Sequence, residues 1–154
     1  MDLNQQMQRL IDEAPSESGL TPLLQVIAPV FLGLASHLRH SQYYIIQTFD
    51  QAWQTTTLAL TDSSVPSRTV VYAYPTLADA NAAVPPPGDP TLVALPLPVV
   101  DLIFQLLALE TVDSLVFLET PGSPQPAVEI DRHTLRGLVQ QQLRQLAGPP
   151  SAYA

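Results

Sequence analysis

The sequence predicts an α+β domain: a mixed, largely antiparallel sheet of about five or six strands, with helices packed on its faces and a helical N-terminal segment. Three observations favour this class. Apolar residues recur at helical spacing in several segments, short β-branched and aromatic runs lie between them, and proline-rich links separate the two. Antiparallel hairpins combined with one strand–helix–strand crossover favour α+β over a doubly wound parallel sheet.

The N-terminal segment, residues 1–40, is predicted to form two helices that pack on the rest of the domain. The first covers residues 3–13. In the second, Thr21 is the expected cap and Pro22 occupies the first helical position, where its missing N–H costs nothing. Pro29 lies inside this helix, so we expect a kink or two short helices there.

Residues 41–146 form the predicted core of the domain. Tyr43–Phe49 and Trp53–Leu60 are rich in aromatic and β-branched residues and flank a short polar link, which is typical of a hairpin. A third strand is predicted at Thr69–Tyr74, followed by one or two helical turns at Leu77–Val84.

The remaining elements complete the predicted sheet. In chain order they are a strand at Leu92–Leu95, a helix from Pro98 to Leu109, strands at Leu115–Leu118 and Ala127–Ile130, and a last helix capped by Asp131. The helix that Pro98 opens is apolar almost all round, so we expect it to be buried on more than one face. Residues 147–154 are predicted to be a disordered tail.

Charge and composition argue against several classes of function. The net charge is −8, and all six basic residues are arginine. Nucleic-acid binding needs a basic patch, and a negative surface repels anionic membranes, so we expect neither partner. The chain has no cysteine, which removes disulfides and thiolate metal sites, and its first residues do not resemble a signal peptide. A cytoplasmic protein is expected.

The polar residues indicate no catalytic residue, metal or cofactor. His37 and His40 lie three apart, but no second motif supplies the remaining ligands of a metal site. The close carboxylates of Asp12–Glu13 and Glu129–Asp131 each have an ordinary local role on a surface helix, an edge strand or a cap. Asp101 is the oddest polar residue, because it lies in the most apolar helix. We expect it to be exposed near the helix N-terminus, where the dipole favours an anion.

The aromatic residues that follow the N-terminal helices are candidate contacts for a partner. Tyrosine and tryptophan are enriched in interface hot spots, although sheet packing is the alternative for any one of them. We predict Tyr43, Tyr44 and Trp53 as apolar anchors. Asp50 and Asp62 would form an acidic rim that favours a basic ligand.

Four stretches of the core resemble the SseB-like family of small bacterial domains. They are VVYAYPTLADANAAV, LVALPLPVVDLIFQLLAL, VDSLVFLET and AVEIDRHTLRGL. The resemblance covers about two-thirds of the chain, from Tyr43 onward. It implies an α/β sandwich-like domain used in protein contacts, with no catalytic residues to carry over. The helical segment 1–40 is not required by the family pattern.

The chain also resembles small conserved cyanobacterial proteins such as carboxysome assembly factors. The shared features are the size, the α/β character and glutamine-rich helices, here beginning QQMQRLIDEAP. This resemblance implies a partner such as an extension of a carboxysome shell protein.

Three functions follow from these observations. The first, which we expect, is a non-catalytic assembly factor or adaptor, monomeric or weakly homodimeric. It would take a peptide or extension of a partner protein on a sheet edge, or in a groove between helix 21–39 and hairpin 43–60. The alternative is a small-molecule-binding regulatory domain, with Asp101 and Arg68 as its polar groups. The third is an acid–base hydrolase, which a perturbed carboxylate in a deep cleft would favour.

Overall fold

The computed structural model describes residues 2–15, 17–58, 67–84, 90–123 and 125–147 of the 154-residue chain. Within these residues the chain is α+β, with a helical N-terminal segment as predicted. Apart from residue 147, the predicted tail lies outside the described residues. No helix in the described ranges has the length and hydrophobicity needed to span a bilayer.

The described residues form five helices and six strands. In chain order they are α1 (Leu3–Glu13), α2 (Leu20–Ser36), β1 (Gln42–Thr48), β2 (Thr56–Leu58), β3 (Arg68–Ala73), α3 (Leu77–Ala82), β4 (Leu92–Pro98), α4 (Val99–Ala108), β5 (Ser114–Leu118), β6 (Ala127–Asp131) and α5 (Arg132–Ala147).

The strands divide into two sheets, so the prediction of one sheet with five or six strands is wrong. β1 and β4 form an antiparallel ribbon, and the second sheet has the order β2-β3-β5-β6. Only its β3–β5 pair is parallel. A single bridge joins β1 to the residue after β3: Tyr44 and Tyr74 each donate a backbone N–H to the other's carbonyl at 2.8 Å.

The predicted hairpin after α2 is present only at its tip. The Thr48 N–H donates to the Ala52 carbonyl, and the Gln54 N–H donates to the Ile46 carbonyl, both at 2.8 Å. From Thr56 the chain pairs with β3 instead, and β1 takes β4 as its partner. Residues 59–60 of the predicted second strand lie outside the described residues.

The helix termini follow local sequence in some places and not in others. Asp131 caps α5 as predicted, because its carboxylate accepts the Thr134 N–H at 3.0 Å. In α2 the predicted start is wrong. The helix begins at Leu20 after Gly19, whose φ of 73° suits glycine, and it continues through Pro29 as one helix.

The main apolar core lies between the helices and the sheets. α4 is buried on several faces, as its composition predicts, and α1, α2 and α5 pack around it. Its fully buried residues are Val99, Val100, Leu102, Ile103 and Leu106. α3 contacts the β1–β4 ribbon. Successive side chains of a strand point to opposite faces, so neighbouring residues of this ribbon contact different parts of the protein.

Candidate binding groove

A concave site of about 360 Å³ lies where α1, α4, β4 and the turn after β1 meet. We call it the Trp53 groove. Its lining residues are Leu10, Glu13, Gln47, Gln51, Trp53, Leu97, Asp101, Phe104 and Gln105. It therefore combines apolar side chains, three amides and two carboxylates.

Gln6 of α1 holds one side of the groove in place. Its side chain is almost fully buried. It donates from Nε2 to the Ser41 carbonyl at 2.8 Å and accepts the Val100 N–H on Oε1 at 3.1 Å. Pro98, at the N-cap of α4, makes no side-chain cap, so Gln6 satisfies one of the free N–H groups at the start of that helix. The contact fixes α1 against α4, and with it the residues that α1 contributes to the groove.

Trp53 forms the opposite side. Trp53 forms an isolated antiparallel β-bridge with Gln47 across the turn, so the side chains of both residues lie on one face of the ribbon. The indole is half-buried, and its N–H has no hydrogen-bond partner in the part of the chain that the structure describes. The turn itself contains local hydrogen bonds. The Thr48 hydroxyl donates to the Asp50 carboxylate, and the Gln51 N–H donates to the Thr48 carbonyl at 3.0 Å.

Asp101 is the more buried of the two carboxylates that line the groove. It lies in the first turn of α4, as expected, but it is half-buried rather than exposed. Burial raises the pKa of its carboxyl group, the nearby charge of Glu13 raises that pKa further, and Arg9 partly offsets the effect. Arg9 is itself paired with Glu13 at 2.9 Å. Asp101 has no hydrogen bond or ion pair within the described ranges.

The predicted partner-binding residues do not all lie at this groove. Trp53 lines it, and Asp50 is exposed on the adjoining turn, where the Thr48 hydroxyl and its own backbone N–H lower the pKa of its carboxyl group. Tyr44 lies on the other face of the ribbon, because it is out of phase with Gln47. Asp62 lies outside the described residues.

Tyr43 is in the core, where its side chain is 0% exposed. Its hydroxyl donates to the carboxylate of Glu119, which is 3% exposed. The Arg39 N–H donates to the second oxygen of that carboxylate at 2.8 Å. Burial and the Glu119 bond raise the pKa of Tyr43 above its ordinary value. We call this the Glu119 cluster. A partner at the surface cannot reach the Tyr43 ring, so the anchor role predicted for it has no support from its position.

The histidines have ordinary surroundings. A ring nitrogen of His40, Nε2, lies 2.8 Å from the Glu119 backbone carbonyl, and its ring packs edge-on against Tyr43. Among the residues that the structure describes, no group of three or more histidine and carboxylate side chains could hold a metal ion.

Arg68 and Asp101, the two polar groups predicted for a small-molecule site, are not brought together. Arg68 lies on β3 and forms an ion pair with Glu129 at 2.6 Å, whereas Asp101 lines the groove. The predicted position of a groove against α2 also differs from the structure: α1 and α4 bound the groove that contains Trp53, and no residue of α2 lines it.

The outer edge of β4 is poorly suited to strand addition. Tyr44 directs both its backbone groups to Tyr74, so the pair that it forms with Pro96 is not hydrogen-bonded. Such pairs alternate, so the pair of Gln42 with Pro98 is not hydrogen-bonded either. The nitrogens of both prolines therefore face the outer edge. They cost the ribbon no bond, and they leave that edge without N–H donors at two positions.

Sequence reasoning missed most of the groove. Leu10 lies in the first predicted helix and Phe104 in the helix predicted to be apolar almost all round, but neither prediction shows that both residues border a concave surface. Gln6 carries no signal of its own in a glutamine-rich helix. These residues can be recognised as part of a groove only from the packing of α1 against α4. The two helices lie far apart in the sequence, so no local pattern shows this contact.

Comparison of the chain with protein-family models found no match, and comparisons with curated protein sequences and with solved structures found none either.

Proposed function

We propose that this protein is a non-catalytic interaction module, an assembly factor or adaptor that holds a segment of a partner protein in the Trp53 groove. The observation that carries the proposal is the groove itself, in which a half-buried indole, apolar side chains and a carboxylate without a partner face one concave surface. Peptide-binding grooves combine apolar anchors with a few polar groups that fix orientation in this way.

Charge supports a basic partner segment. The chain carries −8 overall, and Glu13 and Asp101 place two carboxylates on the groove. Complementary charge favours both encounter and correct register. An extension of a carboxysome shell protein, as the resemblance of the sequence implies, is one candidate partner. The proposal places the protein in the cytoplasm as a monomer or weak homodimer.

The test is capture of the partner by groove variants. We use three tagged full-length proteins to purify partners from an extract of the native host: the wild type, Trp53→Ala and Asp101→Asn. Quantitative mass spectrometry identifies the partners and measures how much of each is captured. We expect the wild type to capture one protein in stoichiometric amount and to retain it in moderate salt. Both variants should capture much less of that protein. Direct binding of that protein, once purified, is then measured by calorimetry.

Leu77→Ser provides the matched control. Leu77 is an exposed apolar residue on α3, away from the groove, so this variant should capture the partner normally. Equal capture by the wild type and both groove variants would contradict the groove as the binding site. The absence of any stoichiometric partner would contradict the proposed function.

The volume of the groove favours the small-molecule alternative to a limited extent, because about 360 Å³ lies at the lower end of the range for ligand pockets. A thermal-shift screen against metabolites tests it. A hydrolase is favoured only by the raised pKa of Asp101 beside Glu13, since a general acid needs such a shift. Glu13 is exposed and paired with Arg9. Turnover of a substrate that Asp101→Asn abolishes would support a hydrolase over a binding module.

A further inference from the structure

The Trp53 groove adjoins an apolar stripe along β4. Leu97 lines the groove, and Leu95 and Val93 lie on the same face of the strand because side chains alternate. Leu95 is 37% exposed and Val93 is 42% exposed. Their partners across the ribbon, Ile45 and Gln47, lie further inside, Ile45 at the core and Gln47 in the groove. The stripe thus forms an open rim that runs beside the groove, from Leu97 to Val93, which pairs with Gln47.

The dimensions of the stripe match an extended chain. Alternate residues of a strand are about 7 Å apart, so Val93 and Leu97 are separated by about 13 Å. An extended ligand repeats its own side chains at the same interval of about 7 Å. Because Pro96 and Pro98 remove donors from the outer edge of β4, such a ligand would bind through side chains over the face and not as an added strand.

The chemistry of the groove beside the stripe is suited to a guanidinium group. Asp101 has an unpaired carboxylate in the described ranges, and Trp53 lines the same groove. Arginine forms paired hydrogen bonds with a carboxylate and stacks on aromatic rings, whereas lysine offers only a point charge.

We propose, resting on the function proposed above, that the partner segment is an extended stretch in which an arginine occupies the Trp53 groove beside Asp101 and apolar residues at every second position lie on Leu97, Leu95 and Val93. This assigns the ligand class of the groove: a basic, alternating apolar–polar segment of a protein, with the arginine in the groove beside the stripe.

The probe is the peptide Ac-Leu-Ser-Leu-Ser-Leu-Ser-Arg-Ser-Leu-Ser-Leu-Ser-Leu-amide, whose central arginine has three alternate leucines on each side and so allows either chain direction. Two control peptides accompany it. One has citrulline, a neutral isostere, in place of arginine, and the other has the same composition with its leucines in adjacent pairs. Binding to the full-length protein is measured by NMR titration. Trp53 is the only tryptophan of the chain, so its indole N–H gives one resolved signal from the groove.

We expect saturable shifts at the Trp53 indole and along β4, with citrulline weakening binding roughly tenfold because a charge-assisted pair is lost. Asp101→Asn should weaken the arginine peptide to the level of the citrulline peptide and leave the citrulline peptide unchanged. Asp12→Asn, an exposed carboxylate elsewhere on α1, should change neither. Leu95→Ser should weaken the alternating peptide, and Leu77→Ser should not.

Several results would overturn the proposal: equal affinity for the arginine and citrulline peptides, equal affinity for the alternating and paired peptides, or an Asp101→Asn effect of the same size on both charged and neutral peptides. Absence of binding by every peptide would also overturn it. None of these results decides the proposed function, which is judged by capture of the native partner with Trp53→Ala.

Discussion

Glu119 and Asp101 are two carboxylates removed from water to different extents, and they differ in their hydrogen bonds. Glu119 is nearly inaccessible and accepts hydrogen bonds from the Tyr43 hydroxyl and the Arg39 N–H. Asp101 is half-buried and has no partner within the described residues. A carboxylate removed from water costs free energy unless it is hydrogen-bonded or paired.

The difference separates a carboxylate with a structural role from one that we propose as a binding group. In the Glu119 cluster the acceptors and donors satisfy one another, so an outside ligand has nothing to gain there. In the Trp53 groove, Arg9 offsets only part of the free energy cost of half-burying the Asp101 carboxylate, so a ligand that supplies a cation or a donor could reduce it further. A ligand that did so would gain its own contact and also reduce the cost, which is why we propose the groove as the place for a partner.

The largest expected effect is on the Glu119 cluster. Glu119→Ala leaves the buried Tyr43 hydroxyl and the part-buried Arg39 N–H without their acceptor, and it opens a small cavity. We expect the free energy of unfolding, measured with urea, to fall by about 2–5 kcal/mol. Glu129→Ala removes an exposed carboxylate that pairs with Arg68, so it should cost less than about 1 kcal/mol. If both variants lowered the free energy of unfolding by a similar amount, Glu119 would not differ from an exposed carboxylate and its contrast with Asp101 would be unsupported.

Gln6→Ala tests the support of the groove. The variant deprives the Val100 N–H, at the buried start of α4, of its acceptor. A loss of about 1–3 kcal/mol in the free energy of unfolding is expected. Gln8→Ala is the control, because Gln8 is exposed and bonds only to Asp12 among the described residues, and it should change stability by less than about 0.5 kcal/mol. Equal stability of the two variants would show that Gln6 does not fix α1 on α4.

Trp53→Ala tests the groove directly. Once a partner is identified, its affinity should fall by about ten- to a hundredfold, as expected for a central aromatic anchor. Tyr44→Ala changes an aromatic residue on the other face of the ribbon and should leave the affinity unchanged in calorimetry. A larger loss with Tyr44→Ala than with Trp53→Ala would place the partner on the opposite face.

The smallest effect concerns the pH dependence of stability. Burial and Glu13 raise the pKa of Asp101 in the folded protein, so the folded state binds this proton more tightly than the unfolded chain does. The free energy of unfolding therefore falls as the pH rises from the ordinary aspartate pKa of about 3.9 through the raised value. Asp101→Asn should be more stable than the wild type at pH 7, and the gap should close below about pH 4.

Thermal unfolding across pH checks this expectation, with Asp12→Asn as the exposed control. If Asp101→Asn were less stable than the wild type at neutral pH, Asp101 would have a partner in solution and the contrast with Glu119 would disappear.

Local features of the fold could be predicted from the sequence, and the groove could not. The span of α4, its burial and the Asp131 cap of α5 follow from residues close together in the chain. The pairing of β1 with β4 joins residues about fifty positions apart, which no local pattern specifies. The alternation of Tyr43 and Tyr44 shows that they face opposite sides, but the ribbon has packing on both faces. Their burial therefore depends on which helices cover each one.

The most direct test of the account is a titration of the captured partner into protein labelled with 5-fluorotryptophan, followed by ¹⁹F NMR. Trp53 is the only tryptophan, so the label gives a single signal from the groove. The account predicts that this signal shifts and saturates with the partner, and that Asp101→Asn weakens the binding roughly tenfold or more while remaining at least as stable as the wild type at pH 7. Binding detected by calorimetry with an unchanged Trp53 signal, or with equal affinity for Asp101→Asn, would contradict it.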